Sequence, residues 1–296
     1  MTAYALSYTA PQASSPYLTA EEYRRAPTGV DASALVPGDA AASYAELGNV
    51  IARASSWADE MCNQVLSATT DTEAGRFRVG RDGLIRIHPR YTPVVAVTAF
   101  AYGAAGSTLT DLTDLSRVWV EDDVIVVPLI GSRTWQGALE LGGLVRPGGE
   151  AYCQWEYVNG WPNTTLAAAT LAGGTSLTVA DGTGLVPGQS RVTIYDTAST
   201  ETVTVADTYV FGSTTVPLAA PLTFDHAAVG VSVSALPPVV KQAVVLLTSA
   251  LIKTRSASSI TMASVKDTPG RKTSPTAALD ESAVAEAMLG PFKRVR

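Results

Sequence analysis

The sequence is short of the side chains that do chemistry. Of 296 residues, two are cysteine and two are histidine, and charged residues make up only 16%. Cys62 and Cys153 lie far apart in different predicted elements, so they are expected to be free, buried thiols, and no oxidising compartment is implied. His88 and His226 have no second histidine or cysteine at metal-ligand spacing, which excludes the common zinc patterns. No GxGxxG, GxxxxGK[ST] or GxSxG occurs, and the glycine-rich DGTGLVPG at 181–188 lacks the lysine and following helix of a phosphate cradle, so it reads as a turn. Long apolar runs are missing too. The longest helical one, 242–252, sits between Lys241 and Lys253 and is too short to cross a bilayer. The opening MTAYALSYTAPQASSP lacks the basic start and apolar middle of a signal peptide. A soluble chain, intracellular while it is made, is expected, with no cofactor and no metal.

What is present is a globular composition. Apolar residues make up 46% and the length suits two domains with real cores. The net charge of -6 argues against a protein whose task is gripping phosphates, and it suits a DNA conduit that must not stick. That charge is unevenly spread. Residues 237–296 carry nine bases and four acids, whereas residues 1–236 carry twelve bases and twenty-three acids. Such asymmetry predicts a basic tail that docks on an acidic surface of another subunit or protein; solvated charge on a frayed end is the plainer alternative.

Periodicity divides the chain. After a polar arm, LTAEEYRRA at 18–26 has acids in its first turn and bases in its last, as a helix dipole favours. A longer helix is predicted over 40–66, with Asp39 as N-cap and an apolar stripe through Tyr44, Leu47, Ile51, Ala54, Ala58, Met61 and Val65. From Gly75 the period changes to two, in RFRV, LIRIH, PVVAVTAFAY, RVWVE, VIVVPL and AYCQWEYV, which predicts antiparallel strands and hairpins. Glu121-Asp122-Asp123 falls between two of these strands and reads as a hairpin turn, since a calcium site needs further oxygen ligands. The stretch 163–235 holds five acids against one base, Arg191, and reads as short strands in a small sandwich or barrel. Beyond Pro237-Pro238 a second apolar stripe, Val240, Ala243, Val244, Leu247, Ala250 and Leu251, predicts a helix whose simplest partner is the 40–66 helix; a helix covering one face of the sheet is the alternative. The last forty residues read as a polar, loop-like stretch, a short amphipathic helix at LDESAVAEAML, and the basic end PFKRVR.

The expected class is therefore α+β: a helical core with antiparallel strands or hairpins and an inserted all-β module. The expected organisation is 1–162 for the N-terminal part of the core, 163–235 for the module, and 236–296 for the late core helix and docking tail. Three further features carry weaker signals. Trp155, Tyr157 and Trp161 in QWEYVNGW could form a sugar-binding face or alternate between core and interface. Arg76, Arg78, Arg81, Arg86 and Arg90 form a basic run on strand positions, suited to DNA or to cross-strand pairing with nearby acids. Asn163-Thr164-Thr165 fits a glycosylation acceptor, with no secretion signal to support it.

In this layout the sequence resembles the head-to-tail connector, or adaptor, proteins of long-tailed bacteriophages. The resemblance rests on three blocks. They are PYLTAEEYRRA with SSWADEMCNQVL and GRFRVGRDGLIRIHPRYTPVVAVTAFAYG, then the β module from TSLTVADGTGLVPGQSRVTIYD to VGVSVSALP, and the late LPPVVKQAVVLLTSALIKTR with its basic tail. It implies a non-enzymatic virion protein: a homo-oligomeric ring, usually of twelve copies, beneath the portal, receiving a stopper or tail-completion protein and passing double-stranded DNA without sequence specificity. It implies no catalytic residues. The portal-docking candidates are Lys266, Arg271, Lys272, Phe292, Lys293, Arg294 and Arg296. A carbohydrate-binding or surface-decoration phage protein using the β module is the alternative from another class, and a hydrolase using His88 or His226 a third.

Overall fold

The computed structural model describes residues 15–28, 30–128, 148–196, 199–227, 230–254 and 280–294. They form an α+β fold with several antiparallel sheets, organised as three hydrophobic cores strung along one chain.

The first core is helical. Helix α1 (Ala20–Arg25) begins with a capping box, in which the Thr19 hydroxyl accepts from the Glu22 N–H and the Glu22 carboxylate accepts from the Thr19 N–H. Helix α2 (Ala40–Cys62) is capped by Asp39, whose side chain accepts from the Ala42 N–H. It ends earlier than the apolar pattern suggests. Asn63 takes a left-handed conformation (φ 54°), which asparagine tolerates, and its N–H closes on the carbonyls of Asp59 and Glu60. Leu47, Ile51, Ala54 and Ala58 are buried, with Met61 packed at the margin. They face α3 (Pro238–Thr254), which buries Val240, Ala243, Val244 and Leu247 and sets Leu251 beside them. Tyr44 does not belong to this stripe and is 41% exposed. The inward position one residue earlier is Ser43, whose hydroxyl donates to its own helix at the Asp39 carbonyl; a helical step of about 100° per residue turns Tyr44 off the packed face. Helix α4 (Glu281–Leu289) closes the core with Ala285 and Leu289.

The second core lies between two antiparallel sheets. One has the order β1 (Thr69–Arg78), β7 (Glu150–Asn159), β3 (Val94–Gly103), β4 (Leu109–Asp111); the other has the order β2 (Leu84–Ile87), β6 (Val124–Pro128), β5 (Trp119–Glu121). Alternation along each strand sends Ile85, Ile87, Ile125, Val127, Phe100, Trp155 and Tyr157 inward. Asp122 and Asp123, both at positive φ, make the turn between β5 and β6.

The third core belongs to the module, where β8 (Asn163–Thr165), β10 (Arg191–Tyr195), β11 (Glu201–Thr204) and β13 (Ser232–Ser234) form one sheet and β9 (Ser176–Thr178) pairs with β12 (Thr215–Pro217). Leu166, Leu177, Val192, Ile194, Val205, Val216 and Val233 fill it. The helical core thus takes residues from both flanks of the strands, and the sandwich between Thr69 and Asn159 is a second inserted β body with a core of its own.

Helix α3 packs against both α2 and α4, and the α2–α3 contact buries Leu247. Leu247→Ala is expected to lower the free energy of unfolding by about 2–5 kcal/mol. Tyr44→Ala should cost less than about 0.5 kcal/mol. Chemical denaturation of both variants checks this, and equal losses would put Tyr44 inside the core.

Candidate functional site

The three cores are linked at one place, and residues 292–294 lie on it. The chain leaves the helices through Leu66 to Ala68, returns from the sandwich through Gly160 to Pro162, and returns from the module at Ala235. Backbone hydrogen bonds tie these crossings together: Trp161 N–H to the Leu66 carbonyl (3.0 Å), Ala68 N–H to Trp161 (2.7 Å) and Ala235 N–H to Pro162 (2.8 Å). The crossing is tight. Gly160 sits at φ +89°, and a Cβ there would lie 2.5 Å from the Ser67 carbonyl oxygen, so glycine is required by both conformation and space.

The N-terminal strap locks this junction. The Tyr17 hydroxyl donates to the Asp59 carboxylate and accepts from the N–H groups of Leu66 (3.0 Å) and Ser67 (3.2 Å), while Leu66 N–H also reaches Asp59 Oδ1 (3.1 Å). Tyr17 N–H donates to Ser55 Oγ on α2. Burial pushes the Asp59 carboxyl up to about 7, against the hydrogen bonds from Tyr17 and Leu66, and burial beside Asp59 raises the Tyr17 phenol well above its ordinary range. The Asn163 side-chain amide donates to the carbonyls of Ser15 and Pro16, so the glycosylation-like asparagine is buried and engaged in tying the module to the strap.

A second tie runs from α3 to the module. Lys241 is almost fully buried; its ammonium lies 2.6 Å from Glu22 on α1 and 3.6 Å from the centre of the Tyr195 ring on β10. Burial lowers its pKa, and Glu22 partly offsets this. The charge is held by an opposite charge and an aromatic face, the two partners that make a buried lysine tolerable.

The last described residues fold back onto their own chain. Phe292 packs edge-on against Trp161 with ring centres 5.6 Å apart. Gln64 donates to the Phe292 carbonyl and Asn63 to the Arg294 carbonyl, and Arg294 N–H donates to Cys62 at the end of α2, satisfying one of the carbonyls a helix leaves open. The expectation of a loose, outward-reaching end therefore does not describe 280–294, because the backbone acceptors of α2 and the Trp161 ring lie within reach. Phe292 and Arg294 are engaged in this way, while Lys293 is exposed. Lys266, Arg271, Lys272 and Arg296 lie outside the described residues. Lys253 at the end of α3 pairs with Glu281 at the start of α4 at 2.6 Å.

Other candidates resolve into packing. Trp155 and Tyr157 are buried in the sandwich and Trp161 lies under Phe292, so these aromatics form no sugar-binding face. Cys62 and Cys153 are free and buried, with both thiols pushed up to about 12 by burial. The His226 ring is wholly buried between Asp196 (3.3 Å) and Glu201 (2.7 Å), and Glu201 also accepts from the N–H groups of Thr223 and Phe224. Among the described residues no cluster of His, Cys, Asp and Glu is arranged to hold a metal, and no helix is long and apolar enough to cross a membrane. In the basic run, Arg86 pairs with Asp82 at 2.8 Å, Arg76 lies over Tyr152 and Arg90 over Tyr91.

Neither a family model nor a curated protein matches the sequence. Among solved structures, a chain in the neck of an empty GTA particle, computed with C6 symmetry, is similar over 94% of this chain and 90% of that one, with 14% identity and a TM-score of 0.36.

The Asp59 carboxyl, held near 7 against 3.8 for a free aspartate, keeps its proton in the folded chain over a pH range where the unfolded chain has lost it. Its contribution to stability is therefore greatest below about pH 4 and falls as pH rises towards about 7, with a slope of up to about 1.4 kcal/mol per pH unit. Asp59→Asn should flatten that part of the stability profile and unfold no sooner than the wild type at pH 8. Thermal unfolding across pH 4–8 tests this; a parallel profile in both proteins would mean that Asp59 does not titrate in this range.

Proposed function

We propose that the chain is a structural protein of a virion: a head-to-tail connector whose copies form a ring beneath the portal, receive a stopper or tail-completion protein, and surround the exit path of double-stranded DNA. The proposal includes no catalytic role. The observation that carries it is the architecture. One helical core is closed by segments from both ends of the chain, and two β bodies are inserted at a single braced junction. That gives each copy a stiff hub with separate surfaces for its neighbours above, below and beside it.

Charge supports the same reading. Residues 1–236 carry the acid excess, so a channel lined by them would not hold passing phosphates, and the bases gather in the last sixty residues. With 280–294 docked on its own chain, the docking role falls to Lys266, Arg271 and Lys272 between the Lys253–Glu281 clasp, with Lys293 and Arg296 at the end. The resemblance sets the expected ring at about twelve copies, and weak single contacts repeated around such a ring add up to a firm joint. Assembly would begin in the host cytoplasm and end in the virion neck.

Reversing Lys266, Arg271 and Lys272 to glutamate together should leave thermal unfolding unchanged and abolish the joining of tails to DNA-filled heads in an assembly assay. Normal joining by the triple variant would contradict the docking role of this stretch.

A further inference from the structure

The β sandwich carries two unlike patches that face away from each other. Strand register fixes the first: Arg86, Val126 and Trp119 lie side by side across β2, β6 and β5. This row is on the outer face, opposite Ile85, Ile87, Ile125 and Val127, which fill the core. Val126 is covered, but Trp119 at the sheet edge is 43% exposed. A large aromatic side chain exposed on an edge strand is unusual on a free surface. The hairpin is also fixed in place, because the Asp123 carboxylate at its turn accepts from the Val94 N–H at 3.1 Å. Glu121 and Asp122 beside the tryptophan are exposed acids, and the nearby Arg86 is already paired with Asp82.

The second patch is on the other sheet. Along β1 the residues Thr70, Thr72, Ala74, Arg76 and Arg78 face outward, while Phe77 turns to the core. Register places Tyr152 opposite Arg76 and Glu150 opposite Arg78, and the Arg76 guanidinium lies 6.0 Å from the Tyr152 ring centre. With exposed Arg81 at the adjoining turn, this end of the sheet shows three arginines around a flat aromatic ring, against Glu150 and an Asp82 that is paired with Arg86.

We propose that these patches join successive copies of the chain, with the Trp119–Asp122 hairpin of one copy seated on the Arg76–Tyr152 end of the next. This rests on the ring reading and supplies its side-to-side contact. A ring needs two different, complementary surfaces on each copy, pointing in different directions, and opposite outer faces of one sandwich meet that need. Tryptophan and arginine are the residues that most often dominate contact energy, and the acids beside Trp119 match the arginines of the second patch in sign. The hairpin is already ordered, so little is lost in fixing it on contact.

The test is sedimentation velocity of the full chain over a concentration series, with circular dichroism as a check on folding. Trp119→Asp and Arg76→Glu should each weaken self-association by at least about tenfold while leaving the fold intact. Combining Glu121→Arg with Arg76→Glu should restore association relative to Arg76→Glu alone. Association that is unchanged by both single variants, or that the paired reversal does not recover, would overturn this interface and leave the ring reading standing. A wild-type chain that stays monomeric up to submillimolar concentration would also overturn this interface, and would leave standing a ring that assembles only on its neighbour.

Discussion

A single buried hydroxyl holds the parts of this molecule in relation to one another. The Tyr17 hydroxyl donates a hydrogen bond to Asp59 on α2 and accepts from the N–H groups of Leu66 and Ser67, where the chain leaves the helices for the sandwich. The Leu66 N–H also reaches Asp59, but the Ser67 N–H has Tyr17 as its partner at a buried crossing, and an unpaired buried donor costs on the order of 1–3 kcal/mol. The neighbouring strap residues Ser15 and Pro16 receive the Asn163 amide, so one short segment before α1 meets both inserted bodies. The carboxyl it relies on is itself desolvated, which makes the junction sensitive to protonation as well as to packing.

The consequence is a division of labour along the chain. The helical core is assembled from residues far apart in sequence: α2 from the first quarter, α3 and α4 from the last. Such non-local contacts form only after long loops close. The two β bodies between them have cores of their own. The junction ties the three bodies together, with the Lys241–Glu22 pair under Tyr195 linking the module to α1 and α3. For a proposed connector this arrangement separates the surfaces that meet partners from the core that must not move.

Much of this was legible where a repeating pattern was present. The stripes through Leu47, Ile51 and Ala54 and through Val240, Val244 and Leu247 follow helical spacing, and the alternation in β2 and β7 follows strand spacing, because burial on one face imposes each period. Tyr44 misled because an aromatic ring near the start of an apolar stripe looks like part of it, while the inward neighbour is a serine that satisfies itself on the helix backbone. The junction was not legible at all. Tyr17, Asp59, Asn163 and Lys241 are isolated polar residues whose partners come from other elements, and nothing in local spacing marks them. The folding back of Phe292 and Arg294 was hidden for the same reason: a basic end looks solvated until a helix end with open carbonyls is placed beside it.

The central claim is that both flanks of the chain form one cooperative core, distinct from the β bodies inserted in it. Native-state hydrogen exchange with residue resolution tests this most directly. The account predicts that slowly exchanging amides of α2 and α3 open with the same free energy and respond together to denaturant, separately from those of β10 and β13. Independent opening of α2 and α3, each tracking its nearest β body instead, would contradict it.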